Sequence, residues 1–284
     1  MAAPENTSND DQITYWNGEA GQRWVAEQEA MDASLAPFGE AAMAAAGVPK
    51  GGHVIDLGCG CGGTSLELAR RVGLMGRVLG IDISTPMLAR AQARASEAGI
   101  GHALFVNTDA STYRFEPQAA DLAFSRFGVM FFGDPARAFA NIRGGLRSGA
   151  RLAFACWRPV AENEWVTLPR DIALRHVPPP EPAAPHAPGP FAFAAPEHVA
   201  AVLGRAGFRG MTFAPFDHPM AHQGSVEAIA GAVARMGPAS RLIVGAPEAV
   251  RARIVEEIAQ ALAPRHDGKG VAMGSAAWIV TAHA

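Results

Sequence analysis

The stretch VIDLGCGCGGTSLELA, residues 54–69, decides the fold. An apolar run ends in an acid, Asp56, and glycine then occupies Gly58, Gly60, Gly62 and Gly63 before a helical pattern begins. A buried strand, a glycine-rich bend and a helix form the turn by which open α/β sheets bring backbone close to a ligand. Glycine suits that bend because it tolerates positive φ and puts no Cβ in the ligand's path. The spacing satisfies both DxGxGxG and GxGxxG, so the loop alone does not separate one nucleotide ligand from another.

Outward from the loop the chain alternates strand and helix. HVIDLG and TSLELARRV are followed by the strand RVLGIDI, a helix capped by Ser84, and the strands ALFVNTD and DLAFSRF. Asp134 and Pro135 open a further helix, and RLAFACW is a fifth strand. This rhythm predicts a parallel sheet with helices on both faces and its strand C-termini on one ligand-binding edge. Upstream, residues 1–11 are expected to be disordered. One helix is predicted from Tyr15 to Met31, with Trp16, Ala20 and Trp24 on one face, and a second over 35–46. Downstream, residues 177–190 are proline-dense and read as a mobile connection or a plain surface loop. A helix from Pro196 to Gly207, the strand MTFAPF, helices near 225–236 and 247–263, and the strand AAWIVTAHA complete the chain. The expected division is a tail and cap helices over 1–47 and a nucleotide-binding core over 48–160. Residues 161–284 then supply lid insertions with the last helix and strands of the same core.

Composition narrows the function. Of 284 residues 49% are hydrophobic, enough for a sizeable core. No run approaches the ~18–20 apolar residues of a membrane span, and the polar, acidic start MAAPENTSNDDQ is unlike a signal peptide. A cytoplasmic protein without membrane insertion is expected. The net charge is −3 and lysine occurs only at Lys50 and Lys269, which gives no nucleic-acid footprint. Cys59, Cys61 and Cys156 complete no zinc pattern, so no metal is expected. They read as small side chains in tight places, with a redox-sensitive thiol as the alternative.

Three acids mark the ligand edge. Beside Asp56, Asp82 closes the second strand, where a carboxylate can accept from both ribose hydroxyls, and Asp109 closes the third, where one can receive an adenine amino group. A short-chain nicotinamide enzyme would pair Tyr with Lys four residues on, yet Tyr15 is followed there by Glu19 and Tyr113 by Pro117. A Walker GK[ST] is absent. An acid ahead of the loop is awkward beside a pyrophosphate and suitable beside a cationic ligand.

Taken together, VIDLGCGCGG, GIDIS, NTDAS and DLAFSRFGVMF resemble, in order, the first four motifs of the class I S-adenosylmethionine-dependent methyltransferases. LRSGARLAFACW is similar to their glycine turn and fifth strand, and AAWIVTAHA to their last, antiparallel strand. The resemblance implies a Rossmann-like, seven-stranded sheet in the order 3-2-1-4-5-7-6, with S-adenosyl-L-methionine as cofactor and S-adenosyl-L-homocysteine as product. It also implies cofactor-site residues: Asp56, Gly58, Cys59 and Gly60 at the loop, Asp82 at the ribose, Ile83 and Met87 beside the adenosine. Asp109 and Ala110 would frame the adenine, and Ser125 and Arg126 would lie near the methionine end. Trp24 would join them from a cap, where an aromatic face can favour a sulfonium.

For the acceptor, Tyr15, Trp16, Met130, Phe131 and Trp157 are expected to line an apolar pocket. In-line displacement at an already electrophilic methyl makes a general base optional. His218 and His222, just past the sixth strand, are the candidates for one. His176 and His186 stand beside the proline-rich connection, and His53 lies at the far edge of the sheet. The NPPY-like segment of amino-methylating nucleic-acid enzymes is missing after strand four, where this chain has SRFG. The whole pattern looks like bacterial small-molecule methyltransferases of the quinone-biosynthesis type. A small apolar or aromatic acceptor is expected, with oxygen ahead of nitrogen or carbon and a homodimer left open. An NAD(P)-dependent oxidoreductase and a non-catalytic S-adenosylmethionine-binding regulator are the alternatives.

Overall fold

A computed structural model describes residues 9–284. Its N-terminal cap is α1 (Asp10–Asn17), α2 (Glu19–Ala26) and α3 (Gln28–Ala46). The core follows as β1 (His53–Leu57), α4 (Gly63–Val72), β2 (Arg77–Asp82), α5 (Thr85–Glu97) and β3 (Ala103–Asn107). It continues through β4 (Ala120–Arg126), α6 (Pro135–Gly145) and β5 (Leu146–Trp157). After α7 (Glu164–Ala173) and α8 (Pro196–Arg205) come β6 (Arg209–Asp217), β7 (Met220–Gln223), α9 (Val226–Arg235) and α10 (Gly237–Ile243). The chain closes with α11 (Glu248–Leu262), β8 (Gly270–Met273) and β9 (Ala276–His283).

The large sheet has the order β3-β2-β1-β4-β5-β9-β6, the Rossmann-like order expected once β7 and β8, which form a separate pair, are set aside. The pairs among β1 to β5 are parallel, and β9 runs antiparallel to both β5 and β6. Chain direction reverses its stepping at β1, which has β2 on one side and β4 on the other, so a crevice opens above the β1 and β4 ends. The central strands are apolar because both faces are covered: Leu57, Phe124 and Phe154 are wholly buried. A second core joins Ile172 of α7, Val233 of α9, Ile254 and Ile258 of α11 and Met273 of β8.

Several boundaries differ from the sequence reading. Residues 1–8 of the expected disordered tail lie outside the described residues, whereas Asp10 and Asp11 are already helical. The predicted helix from Tyr15 is broken at Gly18, whose backbone is extended, and again at Glu27. The next helix begins at Gln28 rather than 35 and carries Pro37 inside it. An interior proline costs about 3 kcal/mol; burial of Leu35, Phe38, Ala42 and Met43 along the same face offsets it. The helices α7 and α10 and the β7–β8 pair are additions. MAHQ shows no clean alternation of its own, and its pairing comes from GVAM some fifty positions later.

Candidate active site

The loop after β1 is shaped by close backbone approach. Gly58 has φ +64, and a Cβ there would stand 2.7 Å from the Cα of Gly128 in the loop after β4. The amides of Gly58 and Cys59 both donate to the Ile81 carbonyl, at 2.8 and 3.1 Å. The Gly60 amide donates to Asp82 Oδ2 and the Ser84 amide to Asp82 Oδ1, each at 2.8 Å. Asp82 thus accepts from backbone amides at both oxygens, the Ile83 amide also acting on it, and still lines the cavity. Burial lifts its pKa above the ordinary carboxylate value, and the amides of Ser84 and Gly60 oppose that rise.

Asp56 and Ser125 do not reach the cavity wall. Asp56 is fully buried beneath the loop, where its Oδ2 accepts from Thr64 Oγ1 at 2.7 Å and Ser65 Oγ at 2.6 Å. Its Oδ1 has no partner among the described residues, and burial pushes its pKa from 3.8 to about 6. The Ser125 hydroxyl donates to the Leu57 carbonyl at 2.7 Å and accepts from the Gly128 amide at 3.1 Å. Both residues brace the bed from below; they are corrected from ligand contacts to supports. The register pairs Asp56 with Phe124, so Asp56 and Ser125 lie on opposite faces of a sheet covered on both sides, and each is buried there.

Above the loop lies a cavity of about 920 Å³, near the upper end of the roughly 300–1,000 Å³ typical of small-molecule sites. One end is walled by Gly58, Cys59, Gly60, Asp82, Ile83, Met87, Asp109, Ala110 and Arg126. Trp24 and the acceptor-side candidates Tyr15, Trp16, Met130, Phe131 and Trp157 also line it. Trp16 meets Tyr15, Trp24 and Phe131 edge to face at 5.1, 5.7 and 5.4 Å. Trp157 stacks on Phe127 at 4.0 Å and lies 5.0 Å from Trp165, whose indole N–H is taken up by Asn163 Oδ1 at 3.0 Å. This end is apolar and largely without free polar groups.

His222 is the exception. It lines the cavity from β7, its Nε2 is buried with no partner among the described residues, and burial lowers its pKa below 6.5. A neutral imidazole with an unclaimed nitrogen can accept a proton from a hydroxyl. His218 is absent from the wall: its ring packs against Phe38 and Phe216, and its Nδ1 lies 3.0 Å from the Pro219 carbonyl. His176 pairs with Glu257 at 2.9 Å, away from the cavity. His186 does line it, from the proline-rich connection, stacked on His198 at 3.6 Å. His53 sits by Ala119 at the opposite end of β1.

Asn17 and Asp32 had no clear sequence signal, and Ser84, read as the cap of α5, stands at the N-cap position without a side-chain cap bond. Asn17 donates to the Ile83 carbonyl at 2.8 Å and accepts from the Thr85 amide at 2.9 Å. Ser84 donates to the Trp16 carbonyl at 2.7 Å, so the α1–α2 cap is fastened to the end of β2. Asp32 of α3 meets Arg126 at 2.8 Å and Arg94 at 2.9 Å. Contacts between remote segments leave no local spacing to find. Burial keeps all three thiols protonated, with Cys61 pushed up to about 12.

Residues 54–149 match the family model described as "Methyltransferase domain". Aklanonic acid methyltransferase DauC of a Streptomyces species is 33% identical over 134 residues, 45% of this chain and 61% of that protein. Demethylmenaquinone methyltransferase of Lactiplantibacillus plantarum is 34% identical over 101 residues, 35% of this chain and 43% of that protein. The matches thus span less than two thirds of these relatives' own length. The YcgJ protein of Bacillus subtilis, 15% identical, shares the fold with a TM-score of 0.55 over 88% of this chain and 97% of that one. Residues 54–149 thus carry a methyltransferase domain, and the matches support the class I S-adenosylmethionine-dependent type. S-adenosylmethionine fits the bed: a carboxylate stands on the cavity wall at Asp82, and Gly58 and Gly60 leave the wall beside it as bare backbone.

Proposed function

We propose that the protein transfers a methyl group from S-adenosyl-L-methionine to a small, apolar or aromatic metabolite, at oxygen. The observation that carries this reading is one continuous cavity. It joins an acid-edged glycine bed to an aromatic chamber lined by His222, whose buried Nε2 has no partner among the described residues. The names of the two relatives above, which place aklanonic acid and demethylmenaquinone as acceptors of those proteins, support a ring-bearing acceptor here. No helix among the described residues is long and apolar enough to cross a membrane, and action in the cytoplasm is part of this proposal.

Bound S-adenosylmethionine supplies an electrophilic methyl group. Of the residues lining the cavity, Asp82 and Asp109 would hold its nucleoside, Ile83 and Met87 would pack beside it, and Trp16, Trp24 and Phe131 would keep water out. The chamber walls hold the acceptor in line, and positioning of this kind can contribute roughly 7–11 kcal/mol of barrier lowering. His222 Nε2 takes the proton of the acceptor hydroxyl as the oxygen is methylated. The test has two arms. Calorimetry with S-adenosylhomocysteine and with NAD(P) must show binding of the former alone. Incubation of methyl-labelled S-adenosylmethionine with a metabolite extract must then label a product at oxygen. Nucleotide binding without any labelled product would sink the transferase reading.

A further inference from the structure

Asp32, on the cap helix α3, lies at the meeting point of three elements. Its Oδ1 accepts from Arg126 Nη2 at 2.8 Å, from the end of β4. Its Oδ2 is 2.9 Å from Arg94 Nη1 of α5 and accepts from Gln28 Nε2 at 2.8 Å. Arg94 in turn donates to the Cys61 carbonyl within the glycine loop at 2.6 Å. All three charged side chains are mostly buried, with 23% of Asp32, 14% of Arg126 and 19% of Arg94 exposed.

Two guanidiniums face one carboxylate at hydrogen-bonding distance, and Arg126 also acts through space on Asp56, which is buried beneath the loop. Arg126 is the member on the cavity wall. Among the described residues its guanidinium makes that single hydrogen bond to Asp32, and its other N–H groups are unspent. The start of α4 adds to the field. Gly63 lies so near Asp32 that a Cβ there would come within 2.5 Å of Oδ1, and the positive end of the helix dipole points the same way. A partly buried guanidinium with free donors on the cavity wall, beside the glycine bed, suits an anion.

We propose that Asp32 is a positioning residue: it holds Arg126 against the bed so that the remaining guanidinium donors seat the α-carboxylate of the cofactor's methionine half. The inference rests on the cofactor reading above and deepens it. Its consequence is a coupling of the N-terminal cap to the amino-acid end of the cofactor, separate from the nucleoside end held by Asp82.

Calorimetry with two ligands tests it: S-adenosylhomocysteine, which has the amino-acid tail, and 5′-methylthioadenosine, which lacks it. Asp32→Ala should weaken the first by roughly 10- to 100-fold and the second by less than about threefold. Arg126→Met should do the same, and the double variant should be no weaker than Arg126→Met alone, because Asp32 acts through Arg126. Methylthioadenosine affinity serves as the control for a folded nucleoside site. Equal weakening of both ligands by Asp32→Ala, no weakening of either, or additive losses in the double variant would each overturn the inference. Wild-type protein that binds neither ligand overturns the cofactor reading and this inference with it.

Discussion

The amide of Gly60 donates to Asp82 Oδ2 at 2.8 Å, so the bend after β1 and the acid ending β2 form one unit. The acid proposed to meet the ribose also fixes the glycine bend. Asp82→Ala is therefore expected to weaken S-adenosylhomocysteine by roughly 10- to 150-fold, the range for one charged hydrogen-bonding group. Asp82→Asn should lose nearly as much, because its NH₂ must face the amide of Gly60 or of Ser84. Titration calorimetry decides, and wild-type affinity in a folded Asp82→Ala protein removes the residue from the site.

A second expectation concerns pH and stability. Burial raises Asp56 from 3.8 to about 6, with Arg126 opposing the rise and Asp82 adding to it. Between those values the folded protein holds a proton that the unfolded chain has released. Stability contributed by this group is full below pH 3.8 and lost as pH rises toward 6, by about 3 kcal/mol. Asp56→Asn keeps an oxygen for Thr64 and Ser65 without the titration. Its melting temperature relative to wild type should climb between pH 4 and 7, and a flat or falling difference contradicts the assignment.

His222 makes the prediction about catalysis. With its pKa held below 6.5 by burial, the wild-type rate should rise through an acidic limb lying under the usual imidazole value. His222→Gln should lower kcat by roughly 10²- to 10⁴-fold on an oxygen acceptor and erase that limb. The wild-type KM for S-adenosylmethionine should persist. His218→Gln, off the wall, should leave the profile in place; steady-state kinetics across pH 5–9 separates the two.

Backbone geometry supplies the fourth. Gly58→Ala forces a side chain onto φ +64 and sets its Cβ 2.7 Å from Gly128 Cα, with no flexible atom to give way. A loss of roughly 1–3 kcal/mol is expected in urea unfolding, the scale of strained backbone. A variant as stable as wild type would show that the two loops can part.

What could be read from the sequence follows from range. The bed was legible because strand, bend and helix are consecutive: Gly58 to Gly63, then Asp82 and Asp109 at successive strand ends. Trp16 and Trp24 were legible as one face, though not the break at Gly18 between them. Asp32 and Asn17 were not legible, since each acts on a partner more than sixty residues away. The split between His222 and His218 was equally hidden. It depends on β7 pairing with β8, which turns one imidazole into the chamber and leaves the other against Phe216.

One contact bears on turnover. The guanidinium of Arg241 on α10 lies 4.6 Å over the ring of Tyr15 on α1. Segments from opposite ends of the chain thus clasp hands above the two compartments. Both residues line the cavity, so a ligand that passes between α1 and α10 must part this contact.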